Sequence, residues 1–229
     1  MVTQMLAVLL LAMAPATVGG DPGTRGGATC RGEAAVVADE AEWQGTFDRD
    51  VVVASSAVVD SISLLDGDDL VCVYSDPRAP YHGLTVHGGL GADTMITYGG
   101  ANDLYGDEGA DIFYLGGADE AVYGGTGNDH VWGLGASHVV AHGEGGTDML
   151  QGSDTNDALA GGDDGDLIIG AGGDDTLDGE GGNDDIQGNA GADDLDGGAG
   201  ADTCSDSQGS TFTSCETTAF TPPFPVKGN

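Results

Sequence analysis

From Gly152 onward the chain repeats itself every nine residues: GSDTNDALA, GGDDGDLII from Gly161, GAGGDDTLD from Gly170, GEGGNDDIQ from Gly179, GNAGADDLD from Gly188 and GGAGADTCS from Gly197. So short a period confines the chain to architectures that stack one small unit on the next. Asp148, Asp157, Asp166, Asp175, Asp184, Asp193 and Asp202 occupy the sixth position of successive units. Two places after each stands Leu150, Leu159, Ile168, Leu177, Ile186, Leu195 or Cys204. Upstream the units are less regular. Asp93, Asp103, Asp111, Glu120, Asp129 and His138 fall at the sixth position, with Met95, Tyr105, Phe113, Val122, Val131 and Val140 at the eighth. A weaker trace of the pattern runs through Asp50, Asp60 and Asp69, each followed two places later by Val52, Ile62 or Val71.

Positions seven to nine of each unit suit a short strand whose middle side chain points to one face, because strand side chains alternate. The first six positions must then turn the chain sharply, and glycine supplies the left-handed conformations that such a turn requires. Two units make one coil, with a turn on each edge. Stacking coils at the ~4.8 Å strand spacing sets the sixth positions in two columns. One holds Asp93, Asp111, Asp129, Asp148, Asp166, Asp184 and Asp202, and the other Asp103, Glu120, His138, Asp157, Asp175 and Asp193. Here the charge balance matters: 39 Asp and Glu face only 5 Lys and Arg, for a net charge of −34. Two carboxylates about 5 Å apart repel by ~0.8 kcal/mol in water and several-fold more where solvent is excluded. A hard divalent cation cancels that repulsion, and calcium accepts six to eight oxygen ligands, carboxylate and carbonyl alike. The same charge excludes binding to nucleic-acid backbones and disfavours anionic membrane surfaces.

The tandem units resemble the RTX, or hemolysin-type, calcium-binding nonapeptide GGxGxDxUx, a repeat with a known calcium role. GGTGNDHVW from Gly124 and GGLGADTMI from Gly88 meet every defining position. The resemblance is strong over residues 88–205 and weak over 45–74. It implies an all-β fold, a right-handed parallel β-roll (β-solenoid) with short end caps, and several Ca2+ ions held between successive turns. Their ligands would be the eleven sixth-position aspartates, Asp93, Asp103, Asp111, Asp129, Asp148, Asp157, Asp166, Asp175, Asp184, Asp193 and Asp202. The second column departs from the family pattern. Ala101, Ala118, Ala136 and Thr155 stand where the first column has glycine, save for Asp164, and Glu120 and His138 replace aspartate. A Cβ in a left-handed turn costs ~1–2 kcal/mol, so weak or absent calcium binding is expected in the early second column.

The ends supply an address and caps. Residues 5–16, MLAVLLLAMAPA, form an apolar run that closes on Ala14-Pro15-Ala16, the pattern of a secretory signal. The run is shorter than the ~20 residues that a bilayer span needs. The expected organisation is a signal over 1–16, an N-terminal cap over 17–44, degenerate starting coils over 45–74, a loop over 75–87, the roll over 88–205, and a C-terminal cap and tail over 206–229. Four cysteines in an exported chain suggest two disulfides. Of the three pairings, Cys30–Cys72 with Cys204–Cys215 is favoured by position. No HExxH, GxSxG or EF-hand loop pattern occurs, and the expected function is that of a secreted, non-enzymatic calcium-binding protein. An adhesive or matrix protein with an unnamed cell-surface partner is the alternative, and an enzyme with an unrecognised site a distant one.

Overall fold

A computed structural model of the chain describes residues 29–38, 42–55, 59–74, 83–207 and 209–220. The expected signal over 1–16, most of the loop over 75–87 and the end of the chain from 221 on lie outside the described residues. Among the described residues all regular structure is β. Two parallel sheets of eleven strands each face one another, and a small antiparallel pair joins Thr29–Cys30 to Glu33–Ala34. The strands stack as a solenoid in which each pairs with the strand one coil away. In one sheet the inward residues register as Phe113, Val131, Leu150, Ile168, Ile186 and Cys204. In the other they run Leu104, Val122, Ala141, Leu159, Leu177, Leu195 and Phe212.

These two files pack together and make the core. Phe113, Val131, Leu150, Ile168 and Ile186 are fully buried, as are Leu104, Val122 and Leu195. So short a strand buries a single apolar side chain on its inner face, so each coil contributes two and is unstable alone. Stability therefore accumulates only by stacking.

The second sheet corrects the register expected from the sequence. Leu104 and Ala141, not Tyr105 and Val140, point inward, and Tyr105 and Val140 lie partly exposed on the outer surface. A shift of one residue moves a side chain to the opposite face of a strand. The uneven spacing of the units around Asp103, Asp111 and Asp148 is absorbed in the turns, and burial of apolar side chains decides the pairing. Asp103 is consequently exposed at the start of strand Asp103–Glu108, opposite Thr85 and Ala121. Asn102 takes the inward place expected for Asp103, and Val139 that expected for His138, with both buried.

Coils extend beyond the regular repeat at both ends. Val51–Ser55, Ser61–Ser63 and Leu70–Tyr74 continue the two sheets, and Thr85–Leu90 is a strand that begins inside the segment expected as a loop. After the last repeat, Thr211–Thr213 and Thr217–Phe220 add one further strand to each sheet. Cys30 bonds to Cys72 and Cys204 to Cys215. The first bridge ties the N-terminal hairpin onto the outside of one sheet, where Cys30 joins Val53, Leu70, Cys72 and Ile96 in a second apolar cluster. Arg31 lies over the Tyr114 ring, 5.4 Å from its centroid. No helix of the described residues is long and apolar enough to cross a membrane.

Candidate metal centre

The turns on the first edge share one backbone course. The second residue of the unit is left-handed, including non-glycines such as Asp107 (φ 69°), Glu144 (φ 73°) and Glu180 (φ 62°). At the fourth position Gly91, Gly109, Gly127 and Gly146 take φ of 127°, 152°, 137° and 129°. This course turns the sixth-position carboxylate under the turn, into the stack. There the N–H of each aspartate donates to Oδ1 of the aspartate one coil on. The links run from Asp69 to Asp93 (2.8 Å), Asp93 to Asp111 (2.7 Å), Asp111 to Asp129 (2.8 Å) and Asp129 to Asp148 (2.7 Å). They continue from Asp148 to Asp166 (2.7 Å), Asp166 to Asp184 (2.8 Å) and Asp184 to Asp202 (3.0 Å). Asp50 precedes the ladder, donating to Asp69, and Glu216 ends it by accepting from Asp202.

Every one of these carboxylates from Asp69 to Asp202 is nearly inaccessible to solvent. Their second oxygens, Oδ2 of Asp69, Asp93, Asp111, Asp129, Asp148, Asp166, Asp184 and Asp202, are buried without a hydrogen-bond partner. A buried charged oxygen without a partner is strongly unfavourable, and a file of them fits a row of cation sites. The glycine that opens each unit makes the room. A Cβ on Gly88, Gly106, Gly124, Gly143, Gly161 or Gly179 would stand 2.3 or 2.4 Å from Oδ2 of the aspartate that follows in the same unit.

Desolvation is the largest cause of the upward shift in these carboxyls, and neighbouring carboxylates add to it in most of them. Asp111 is pushed up to about 8, Asp93 and Asp166 to about 7, and Asp69 and Asp129 to about 6. Hydrogen bonds from the ladder N–H groups act in the opposite direction without overcoming burial.

The second edge is acidic over only part of its length. Val139 donates its N–H to Asp157 (2.7 Å), Asp157 to Asp175 (2.8 Å) and Asp175 to Asp193 (2.9 Å). Oδ2 of Asp175 and Asp193 is buried and without a partner, as on the first edge. Asp157 differs, because Oδ2 accepts from both the N–H (2.6 Å) and the hydroxyl (3.0 Å) of Ser153. Earlier in the column Glu120 is fully buried, and the Asn102 amide donates to both of its oxygens (3.2 and 3.1 Å). Burial pushes Glu120 up to about 7. The carboxylate ladder is interrupted at Val139, and Ala118 and Thr155 do not adopt the left-handed conformation.

Of the eleven sequence-derived ligands, ten therefore lie on the two inner edges and Asp103 lies on the outer face. Asp69 and Asp206 are buried acidic groups of the turns that lie outside that set. Asp69 carried a signal, Val71 two places on, whereas Asp206 sits at a position that the repeat reserves for glycine. Among the described residues no three acidic, histidine or cysteine side chains converge on one point. A cation here would take carboxylates from the columns and complete its shell from turn carbonyls, a donor set that suits calcium rather than zinc.

Residues 87–119, 114–136, 142–177 and 169–204 match, in four copies, the family model of the RTX calcium-binding nonapeptide repeat. No curated protein and no solved structure matches the chain.

Proposed function

Because the chain belongs to the RTX calcium-binding nonapeptide repeat family, matched between residues 87 and 204, we propose that it is a secreted, non-enzymatic β-roll whose folding is driven by calcium held between successive turns. The observation that carries this reading is the file of buried, unpartnered carboxylate oxygens on the first edge. Asp93, Asp111, Asp129, Asp148, Asp166, Asp184 and Asp202 hold the ions of that edge, and Asp175 and Asp193 those of the other. Asp157 contributes less, since Ser153 already satisfies it. Bound calcium supplies positive charge and electrophilic coordination where water is excluded. The protein's part is to present oxygens at fixed spacing, and the bound ion keeps ionised the carboxylates that burial alone would protonate.

Linkage sets the scale of the effect. With dissociation constants of about 10–100 μM and free calcium of about 2 mM, each filled site adds about 2–3 kcal/mol to the folded state. Several such sites equal the whole stability of an ordinary domain, ~5–15 kcal/mol. In EGTA the chain is expected to lack β structure by far-UV circular dichroism, and a calcium titration to restore it cooperatively, with magnesium ineffective. A chain already folded in EGTA and indifferent to calcium would overturn the reading. Export is supported by the apolar run over residues 5–16, and the N-terminal mass of the secreted chain tests it.

A calcium-dependent adhesive role is favoured by one surface feature. His87, Tyr105, Tyr123 and His142 stack on the outer face with ring centroids 4.5, 4.8 and 5.3 Å apart, and His87 Nδ1 lies 3.2 Å from Asp107 Oδ2. Calcium-dependent retention on cells, lost when both tyrosines are replaced by serine, is the result expected of that role. Unchanged retention would remove it.

A further inference from the structure

The last turn of the second column breaks the repeat twice. Its sixth position, one coil after Asp193, is Ser210, whose hydroxyl takes the place of the next carboxylate in accepting the N–H of Asp193 (2.8 Å). Continued in register, the column would therefore lose its acidic ligand here. The second break is at the position that opens the unit. Gly152, Gly170 and Gly188 open the three preceding units, and each leaves room for the carboxylate that follows in its unit. One coil after Gly188 stands Asp206.

Asp206 is the inward-facing last residue of strand Thr203–Asp206 and is 1 % exposed. Its side chain enters the space that glycine leaves open in the coils before it. A Cβ on Gly188 would stand 2.4 Å from Oδ2 of Asp193 and 3.0 Å from Oδ1 of Asp206. Two carboxylate oxygens from successive coils thus face one point over a bare glycine. Asp193 is 2 % exposed, and its Oδ2 is buried without a hydrogen-bond partner. Ser210 orients the arrangement, because its hydroxyl donates to Oδ2 of Asp206 (2.7 Å) and leaves Oδ1 turned toward Asp193.

An acidic pair held this closely out of water is repulsive unless a proton or a cation lies between its members, and the ladder carboxylates and turn carbonyls of the column favour a cation. We infer that Asp193 and Asp206 form a calcium site at the C-terminal end of the roll, in which Asp206, from a glycine position, restores the carboxylate lost at Ser210. The site lies partly outside the matched repeats, which end at residue 204, and it rests on the reading of the columns as calcium sites. It also gives the ion a structural task. Asp206 belongs to the strand that pairs with Thr217–Phe220, and Ser210 adjoins strand Thr211–Thr213. An ion there fastens the closing strands of both sheets to the last repeat, where a solenoid otherwise frays.

Isothermal titration of the full mature chain with calcium tests the assignment by stoichiometry. Asp206→Asn and Asp206→Gly are each expected to bind one ion fewer per chain than the parent. Asp194→Asn, the same charge change at an exposed strand position, is expected to bind the parent's number. Asp206→Gly restores the repeat's own residue, so it keeps the experiment decisive if the asparagine variant fails to fold. Parental stoichiometry and affinity in both Asp206 variants would overturn this site while leaving the calcium reading intact. A parent chain that binds no calcium would overturn both.

Discussion

In EGTA, acidification from about pH 8 to about pH 5 is expected to return part of the β signal that chelation removes, whereas in about 2 mM calcium the same acidification is expected to diminish it. The first effect follows from the folded-state carboxyls. Asp111 is pushed up to about 8, Asp93, Asp166 and Asp175 to about 7, and Asp129 to about 6, against an unfolded value of about 3.9. Between roughly pH 4 and pH 8 the metal-free folded chain therefore holds more protons than the unfolded chain, and its stability falls as pH rises. The contribution is complete below about pH 4 and is lost as pH passes through the folded values of about 6 to about 8.

Calcium reverses the sign because a ligating carboxylate must be deprotonated. With ions bound, the folded chain holds fewer protons on these groups than the unfolded one, so acid competes with the metal. Circular dichroism against pH, with and without calcium, should give two curves that cross. Parallel curves would mean that the buried aspartates are not where calcium binds.

Gly127→Ala is expected to be the most damaging single methyl group that can be added to the mid-roll. Gly127 has φ of 137°, and a Cβ there would lie 1.5 Å from the carbonyl oxygen of Gly109 and 2.5 Å from its carbon. Those are backbone atoms of the neighbouring turn, so relief requires the coils to separate. The left-handed conformation adds ~1–2 kcal/mol by itself, and the loss should exceed about 4 kcal/mol, the range of severe single substitutions. The variant is expected to need at least tenfold more calcium for half-maximal folding, or to stay unfolded.

Gly145→Ala provides the contrast at the next turn. Its φ is not left-handed, and the nearest atom to a new Cβ is 3.8 Å distant. A change within about 0.5 kcal/mol is expected. Equal calcium midpoints for the two variants would show that the close approach of turn to turn is not maintained in solution.

The legibility of the fold in the sequence varies along the chain. The first column was readable throughout, because Asp, the turn residues and the apolar residue kept one beat from Asp93 to Asp202. In the second column the acidic residue and the apolar residue fell out of step. Anchoring on Asp103 and His138 placed Tyr105 and Val140 in the core. The full-coil interval between Leu104 and Val122 was the better guide, since a buried methyl group commits a strand's facing more firmly than an exposed carboxylate does. The same reasoning would have extended the first ladder to Asp69, two places before the fully buried Val71.

The sequence by itself determined the unit and its chemistry: a nine-residue period, one apolar anchor, one carboxylate, glycines for the turns, and a charge of −34 that calls for a divalent cation. Those are local requirements, and a period repeats them where they can be counted. What only the tertiary structure decided depends on which turn lies above which. Ser153 satisfies Asp157, Asn102 satisfies Glu120, Val139 interrupts the second ladder, and Asp206 meets Asp193 over Gly188. None of these follows from the period, because each arises where a unit departs from it. The fate of a buried carboxylate is set by its surroundings in the folded stack, which supply either a hydrogen bond or a second charge.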